Sequence, residues 1–176
     1  MITQHTRVPR DRLGALIGKK GKTKREIEKR LGVRLTIDSE SGDVESESKD
    51  PIMQEKAKDI VMAIARGFSP ENAMKLLDEG NSLKIIWLKE ELGKKPKAIR
   101  TKKARIIGAK GAVRERIEQS TKALVSVYGN TVALIGGENE LELAEQAVER
   151  ILAGAKIGNV YDFIEEKKKE TGKFEL

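Results

Sequence analysis

The chain repeats one short segment at a spacing of 90 residues, which constrains its fold more than any other feature. Residues 17–28 read Ile-Gly-Lys-Lys-Gly-Lys-Thr-Lys-Arg-Glu-Ile-Glu. Residues 107–118 read Ile-Gly-Ala-Lys-Gly-Ala-Val-Arg-Glu-Arg-Ile-Glu and align with the first segment without a gap. A single Gly-x-x-Gly is common by chance. Two copies inside the same local pattern indicate a duplicated structural unit.

The residues around each glycine pair predict the same order of elements in both halves. In the first half, Ile27 and Leu31 lie on one helix face that ends at Gly32, and period-two alternation over 33–37 predicts a strand. Asp50 and Pro51 predict the start of another helix. Its expected apolar face consists of Ile52, Ala57, Ile60, Val61 and Ile64. Each half is therefore predicted to run strand, helix, Gly-x-x-Gly, helix, strand, strand, helix.

The second half supplies the matching elements. A helix is predicted over 112–121, followed by a strand at 124–127, a tight turn at Gly129-Asn130 and a return strand over 131–135. A last helix of this unit has an apolar face of Leu141, Ala144, Val148, Ile151 and Leu152. The first strands of the two units are expected at 3–8 and 83–88.

Composition limits the class of protein. A chain of 176 residues has room for two small domains, and 38% hydrophobic residues can form their cores. Cysteine is absent, which excludes disulfides and thiolate metal sites. The sequence contains no apolar run long enough to span a bilayer and its N-terminus lacks the apolar core of a signal peptide, so we expect a cytoplasmic protein without a membrane partner.

The charge is concentrated rather than spread. The formal net charge is +7, and residues 7–34 hold eleven Lys/Arg against three Asp/Glu. Residues 97–116 hold eight Lys/Arg against one Glu, whereas residues 38–59 hold eight acids and three Lys. Two basic segments flanking an acidic one are compatible both with nucleic-acid binding and with solvated helix faces. Charge alone leaves both interpretations open.

The predicted order, with Ile-Gly-x-x-Gly between two helices, resembles the type I KH domain, whose Gly-x-x-Gly loop clamps four nucleotides. Three stretches are also similar to the archaeal ribosome-assembly KH proteins, the counterparts of the eukaryotic pre-ribosomal Partner of Nob family. They are 66–73 (Arg-Gly-Phe-Ser-Pro-Glu-Asn-Ala), 105–111 (Arg-Ile-Ile-Gly-Ala-Lys-Gly) and 157–161 (Ile-Gly-Asn-Val-Tyr). The resemblance implies an α+β fold of two tandem type I KH domains, each a three-stranded antiparallel sheet packed on three helices.

The expected boundaries are a first KH domain at 1–68, a linker helix at 69–81, a second KH domain at 82–156 and a C-terminal helix and tail at 157–176. Ser69 and Pro70 open the linker helix, and Gly80 is expected to close it. Apolar residues of the linker, together with Trp87, could form a protein interface or pack the two units together. Val160, Phe163 and Ile164 are expected to pack the last helix on the second unit.

The family resemblance implies a non-enzymatic protein that binds single-stranded RNA, acts in small-subunit rRNA processing and assembly, and binds near the 3′ end of that RNA. Its expected partners are an rRNA-maturation endonuclease or another ribosome-assembly or translation protein. Eukaryotic relatives have lost the glycine loop of the first unit, but Gly18 and Gly21 are both present here. A KH factor of translation initiation or mRNA regulation is the alternative, and a metal-dependent RNA-processing enzyme is a weaker one.

The candidate RNA-binding residues combine glycines, cations and apolar groups. Glycine lets the backbone approach a phosphate, and the helix that follows directs free N–H groups at it. By analogy with KH domains, an aliphatic groove would accept the bases, although the same residues fit plain core packing. The predicted set is Gly18, Lys19, Lys20, Gly21, Lys22, Arg34, Lys102, Arg105, Ile107, Gly108, Ala109, Lys110, Gly111, Arg114 and Ile117. The proposed groove also includes Ile17, Ile27, Leu35 and Ile37 in the first unit and Val125 and Val127 in the second.

Other site chemistries find little support. Gly21-Lys22-Thr23 resembles the end of a P-loop, but Leu16 occupies the position that needs the first glycine. His5 is the only histidine and has no partner of metal-ligand type. The acids between Asp38 and Glu47 are more consistent with a solvated hairpin than with a magnesium site. We therefore predict no catalytic residue, no metal site and no cofactor.

Overall fold

The computed structural model describes residues 1–172, which form two compact units, one of residues 1–79 and one that begins at Gly80. No helix in this described range is long and apolar enough to cross a membrane. Each unit is described separately below.

The first unit has the predicted order of elements. It comprises β1 (Ile2–Arg7), α1 (Arg10–Ile17), α2 (Lys22–Leu31), β2 (Arg34–Ile37), β3 (Asp43–Ser48), α3 (Pro51–Ala65) and the short α4 (Pro70–Ala73). The glycine loop between α1 and α2 is a 3₁₀ turn, Lys19–Gly21.

The second unit repeats this order and adds two helices. It comprises β4 (Ser82–Trp87), α5 (Leu88–Leu92), α6 (Pro96–Ile107), α7 (Ala112–Thr121), β5 (Leu124–Tyr128), β6 (Thr131–Gly136), α8 (Glu138–Leu152) and α9 (Ile157–Gly172). Its glycine loop is the 3₁₀ turn Ala109–Gly111. Helix α5 was not predicted, because five residues are too few to show helical periodicity.

Each unit contains one three-stranded antiparallel sheet. The strand orders are β1-β3-β2 and β4-β6-β5, so the last strand of each hairpin lies in the centre. Leu35 pairs with Ser46 in the first sheet, and Val125 pairs with Leu134 in the second. The predicted α+β architecture, with helices packed on antiparallel sheets, is confirmed.

Local capping explains where the helices begin and end. The Asp50 carboxylate accepts hydrogen bonds from the backbone N–H groups of Ile52 and Met53, and Pro51 occupies the first helical position of α3. Gly32 ends α2 in the left-handed conformation, with φ +63°. These caps follow the residue types that the sequence places at the boundaries.

One predicted face is wrong at its first residue. Ile52 is 65% exposed, because it lies in the first turn of α3 on the side away from the sheet. Gln54 is buried instead, and its Nε2 donates to the backbone oxygen of Ser46 at 2.8 Å and to the Ser46 hydroxyl at 2.7 Å. The rest of the predicted face is buried as expected.

The linker segment packs within the first unit. Ser69 caps α4 through a hydrogen bond from the Asn72 N–H, and a 3₁₀ turn continues only to Leu77, so the helix ends before Gly80. Leu76 is buried, and Lys56 of α3 donates to its carbonyl oxygen at 3.2 Å.

The predicted C-terminal helix is confirmed on the second unit. Val160 and Ile164 of α9 are fully buried in the core of that unit. The Arg150 guanidinium of α8 lies 3.8 Å from the ring centroid of Phe163, a cation–π contact that adds to this packing. The end of the predicted tail, 173–176, lies outside the described residues.

Candidate nucleic-acid interface

The two glycine loops have nearly the same backbone conformation. Gly18 has φ +73° and ψ 170°, and Gly108 has φ +74° and ψ 176°. The third loop residue is left-handed in both, with φ +53° and ψ 32° at Lys20 and φ +53° and ψ 29° at Lys110. Non-glycine residues rarely adopt this conformation, so its occurrence at both lysines indicates a loop geometry that both units maintain.

The first glycine of each loop is required for two reasons. A Cβ on Gly108 would lie 2.8 Å from the Val113 backbone nitrogen, and one on Gly18 would lie 2.7 Å from the Thr23 backbone nitrogen. The backbone there also has the positive φ that favours glycine. By contrast, a Cβ on Gly111 would meet nothing closer than 3.9 Å, so this residue is favoured by its φ of +79° alone.

Both loops leave a helix N-terminus available to an anion. No side chain caps the start of α2 or of α7, and Lys19, Lys20, Lys22 and Lys110 are exposed. Free N–H groups and the helix dipole at such a terminus attract phosphate. The two loops differ in charge, since Ala109 and Ala112 stand where the first loop has Lys19 and Lys22.

A repeated glutamate joins each second helix to the edge of the sheet. The Glu118 carboxylate accepts a hydrogen bond from the Val125 N–H at 2.9 Å, and Glu28 accepts one from the Leu35 N–H at 2.8 Å. These N–H groups therefore point away from the central strand, and the backbone of Val127, two residues further along β5, points the same way. The sequence analysis did not predict this role, although Glu28 and Glu118 are identical residues at equivalent positions of the repeat.

The predicted apolar groove divides into an accessible part and a buried part. Ile107 at the end of α6 and Val127 on β5 are half-buried, as are Ile17 and Ile37 in the first unit. Ile117 is completely buried and belongs to the core, so the prediction that it contacts RNA is corrected. Ile27, Leu35 and Val125 are buried as well. Packing between helix and sheet, rather than contact with a ligand, therefore explains the apolar character of Ile27, Leu35, Ile117 and Val125.

Arg105 has a structural role instead of the predicted phosphate contact. Its guanidinium donates to the carbonyl oxygen of Ile151 at 2.9 Å and to that of Ala155, at the C-terminal end of α8. In the first unit Arg12 donates in the same way to the carbonyl oxygens of Ile64 and Phe68, at the end of α3. Cations at a helix C-terminus satisfy carbonyls that have no partner within the helix.

Two further cations of the predicted RNA-binding set, Lys102 and Arg34, do not lie beside the glycine loops. The Lys102 ammonium group is 3.7 Å from the position of a Cβ on Gly154, close to the end of α8. Arg34 alternates with buried Leu35 and lies opposite Glu47, so its side chain is on the sheet face away from the helices and their loop. The structure does not bring these cations together with the glycine loops.

Arg114 stays beside the second loop but is engaged by acidic groups. Its guanidinium contacts Glu118 at 3.0 Å and Glu115 at 3.9 Å. These ion pairs neutralise part of its charge and hold it on the surface of α7. Lys110, by contrast, is exposed in the second loop and forms no ion pair within residues 1–172.

The acidic hairpin of the first unit is organised by its own backbone. The Asp38 carboxylate accepts hydrogen bonds from the N–H groups of Glu40 and Ser41, and the bond from Glu40 contributes most to lowering the pKa of Asp38. Within residues 1–172, no group of three or more potential ligands has the geometry to hold a metal ion.

Comparison with known proteins identifies the fold family. A model of the eukaryotic type KH domain (KH domain type I) matches residues 82–169, and a KH domain model matches residues 3–63. A KH domain-containing protein of Methanocaldococcus jannaschii is 44% identical, over 97% of this chain and 77% of that protein. A crystal structure of Dim2p from Pyrococcus horikoshii is 46% identical, with a TM-score of 0.88 over 94% of this chain and 99% of that chain. The chain belongs to the Dim2p/PNO1-like family of two-KH-domain proteins. This family consists of non-enzymatic RNA-binding proteins.

Two relatives of the Dim2p/PNO1-like family carry informative names. Dim2p of Pyrococcus horikoshii, in a crystal structure of an a/eIF2alpha–aDim2p–rRNA complex, is 46% identical, with a TM-score of 0.89 over 96% of this chain and 95% of that one. The pre-rRNA-processing protein PNO1 of Chaetomium thermophilum is 29% identical over 76% of this chain. The chain spans about half of that relative, 53% of its length.

Proposed function

We propose that this Dim2p/PNO1-like protein binds single-stranded RNA near the 3′ end of the small-subunit rRNA and acts in the processing and assembly of that subunit in the cytoplasm. The observation that carries the proposal is the second glycine loop, which lies between uncapped α7 and the accessible part of a groove. The relative that was crystallised with rRNA supports an rRNA ligand.

The loop would hold the RNA backbone through close approach rather than through a large charge. Gly108 and Gly111 keep side chains away from the approaching phosphate, and Lys110 supplies the exposed positive charge. The N–H groups at the start of α7 have no side-chain partner and can donate to phosphate oxygens. The equivalent first loop has the same backbone and two more lysines, so it can bind RNA by the same chemistry.

The bases would face the opposite wall of the groove. Ile107 and Val127 are partly accessible, and together they provide apolar surface on α6 and on β5. The outward backbone N–H and C=O of Val127 can pair with the edge of a base, which gives a means of discriminating sequence. The chain is only 3% aromatic, so this contact relies on aliphatic packing rather than on stacking.

The experiment uses three lysines that share a left-handed backbone. Lys20→Asp and Lys110→Asp make the same charge change at equivalent positions of the two loops, and aspartate tolerates this conformation. Lys122→Asp is the matched control, because Lys122 has φ +68° and lies at the other end of α7. Affinities are measured for a short RNA with the 3′-terminal small-subunit sequence, over a range of salt concentrations.

We expect Lys110→Asp to weaken binding strongly and to lower the salt slope by about 0.7 for each phosphate contact that is lost. Lys122→Asp should bind as the unchanged protein does. Equal losses for Lys20→Asp and Lys110→Asp would mean that both loops hold the RNA. Unchanged affinity in folded Lys20→Asp and Lys110→Asp variants would refute binding through the glycine loops.

One observation favours a second candidate function. The related Dim2p was crystallised with a/eIF2alpha as well as rRNA, which suits a KH factor acting in translation initiation or mRNA regulation. We include a/eIF2alpha and an rRNA-maturation endonuclease as candidate partners of this chain. Sedimentation of the protein with immature small subunits would favour assembly, whereas its association only with mature subunits or messages would favour the second candidate.

A further inference from the structure

The second unit contains a basic cavity at the end of its groove that the glycine loop does not use. This cavity of about 410 Å³, hereafter the α5 pocket, is lined by Lys89, Lys94, Pro96, Ile99, Arg100, Lys103 and Asn130. Four of these lining residues are cationic, and none is acidic. Within residues 1–172, none of the four cations forms an ion pair with an acidic side chain.

An insertion specific to the second unit forms the outer wall of the α5 pocket. Residues 8–9 connect β1 to α1 in the first unit, whereas residues 88–95 connect β4 to α6 and include α5. This insertion carries Lys89 and Lys94. The corresponding end of the first unit also has a basic cavity, lined by Arg7, Arg10 and Arg66 together with Glu40. The lysine-bearing insertion and a lining without an acidic side chain therefore distinguish the α5 pocket from its counterpart.

The α5 pocket and the glycine loop lie along the same groove. Arg100, Lys103 and Ile107 are spaced by three and four residues, so they occupy one face of α6. Helix α6 has 12 residues, so the loop at its C-terminal end lies about 18 Å from its N-terminal end at the pocket. On the other wall, β5 runs from Val125, beside α7, to the turn that contains Asn130. Both walls thus lead from the loop to the pocket.

The α5 pocket has the properties of a phosphate site. Four cations converge on it, and the N-terminus of α6, with Pro96 as its first residue and no side-chain cap, opens at the same place. The positive end of a helix and nearby lysines attract the same ligand, an oxyanion. The second loop has two lysines fewer than the first. A larger share of the positive charge along the second groove therefore lies at the pocket.

We propose that the α5 pocket binds a backbone phosphate of the RNA strand held by the second glycine loop, several nucleotides away from the loop phosphates. The inference rests on the proposed function of that loop. It makes the second groove a two-point clamp, in which Gly108–Gly111 holds one phosphate group and the pocket holds another. RNA longer than the four nucleotides of a KH core would gain affinity from this second contact.

The test compares RNA length with charge removal. Lys89→Ala/Lys94→Ala removes the two pocket lysines that the insertion contributes, both of which are exposed and outside the core. Lys156→Ala/Lys169→Ala is the control, with the same change in charge at exposed positions in and just before α9. Each protein is titrated with a four-nucleotide RNA and with one of about eight nucleotides. Both RNAs carry hydroxyl groups at their ends, so any contact with the pocket must be made by a backbone phosphate and not by a terminal one.

We expect the pocket variant to bind the longer RNA about twofold to twentyfold more weakly, as for two exposed charge contacts, and with a salt slope lower by about 0.7 per lost phosphate. Its affinity for the short RNA should match that of the control. Unchanged binding of the longer RNA would overturn the inference. Equal weakening of both lengths would also overturn it, because that result indicates general attraction rather than a separate site.

Failure of the loop and failure of the α5 pocket are distinguishable. Lys110→Asp is measured with the same two RNAs and should weaken both. If Lys110→Asp leaves both affinities unchanged, the glycine-loop proposal is wrong whatever the pocket variant does. If Lys110→Asp weakens both and the pocket variant weakens neither, the loop proposal stands and the pocket inference is refuted.

Discussion

The two glycines of the second loop should differ in what an added methyl group costs. Gly108→Ala places its Cβ 2.4 Å from Val113 Cγ2 and 2.8 Å from the Val113 backbone nitrogen. The side-chain carbon can rotate away, but the nitrogen belongs to the first turn of α7 and moves only with the helix. Gly111→Ala meets no atom closer than 3.9 Å and costs only the left-handed backbone.

These contacts set the magnitudes. The left-handed conformation of alanine at Gly111 costs about 1–2 kcal/mol. At Gly108 the backbone has φ +74° and ψ 176°, a region that is largely restricted to glycine and costs about 1–3 kcal/mol. Overpacking against Val113 adds about 1–3 kcal/mol. We therefore expect Gly108→Ala to lower the free energy of unfolding of the second unit more than Gly111→Ala.

The assay uses the single tryptophan of the chain. Trp87 lies in β4, so its fluorescence reports unfolding of the second unit. The midpoints of these ranges differ by about 2.5 kcal/mol. One kcal/mol shifts Tm by about 4–8 °C in a domain of this size, so Gly108→Ala should melt about 10–20 °C below Gly111→Ala. Equal Tm values, or a lower Tm for Gly111→Ala, would refute the conclusion that close approach to Val113 distinguishes the two glycines.

Three further predictions follow from individual contacts. Arg105→Ala should destabilise the second unit by about 1.5–3 kcal/mol, measured by Trp87 fluorescence, and leave affinity for the four-nucleotide RNA unchanged, because Arg105 bonds to helix carbonyls. Burial raises the folded pKa of Asp59, so the contribution of Asp59 to the stability of the first unit is present below the unfolded value of 3.8 and is lost as pH rises through the folded pKa. Asp59→Asn should remove that pH dependence in thermal unfolding followed by circular dichroism, and an unaltered profile would contradict this origin. Ile52→Lys should change the free energy of unfolding by less than about 0.5 kcal/mol in urea, and a larger loss would mean that Ile52 is packed.

Local sequence determined the elements that depend on near neighbours. The order of strands and helices, the Asp50 and Ser69 caps and the glycine loops follow from residue types within a few positions of one another. Errors occurred where the periodic pattern met an element end. Ile52 was assigned to the apolar face of α3, but it lies five residues before Ala57, in the first turn and on the side away from the sheet. Helix α5 was too short to show a pattern.

The candidate site depended more on tertiary structure. Sequence identified both glycine loops, yet it could not separate cations that face the loop from cations that serve another element. Arg105 and Lys110 are equally basic in sequence, but only Lys110 lies exposed at the loop. Ile107 and Ile117 each match an isoleucine of the first copy of the repeat, but Ile107 is half-buried and Ile117 is fully enclosed by the core.

The sequence by itself determined the duplication, the two glycine loops and the basic character of the segments around them. Only the tertiary structure decided that Arg105 pairs with carbonyls 46 and 50 residues away, and that Lys89 and Lys94 line one cavity with Arg100 and Lys103. The physical reason is that backbone conformation and capping depend on adjacent residues. The partner of a long charged side chain depends instead on which helices and turns pack beside it.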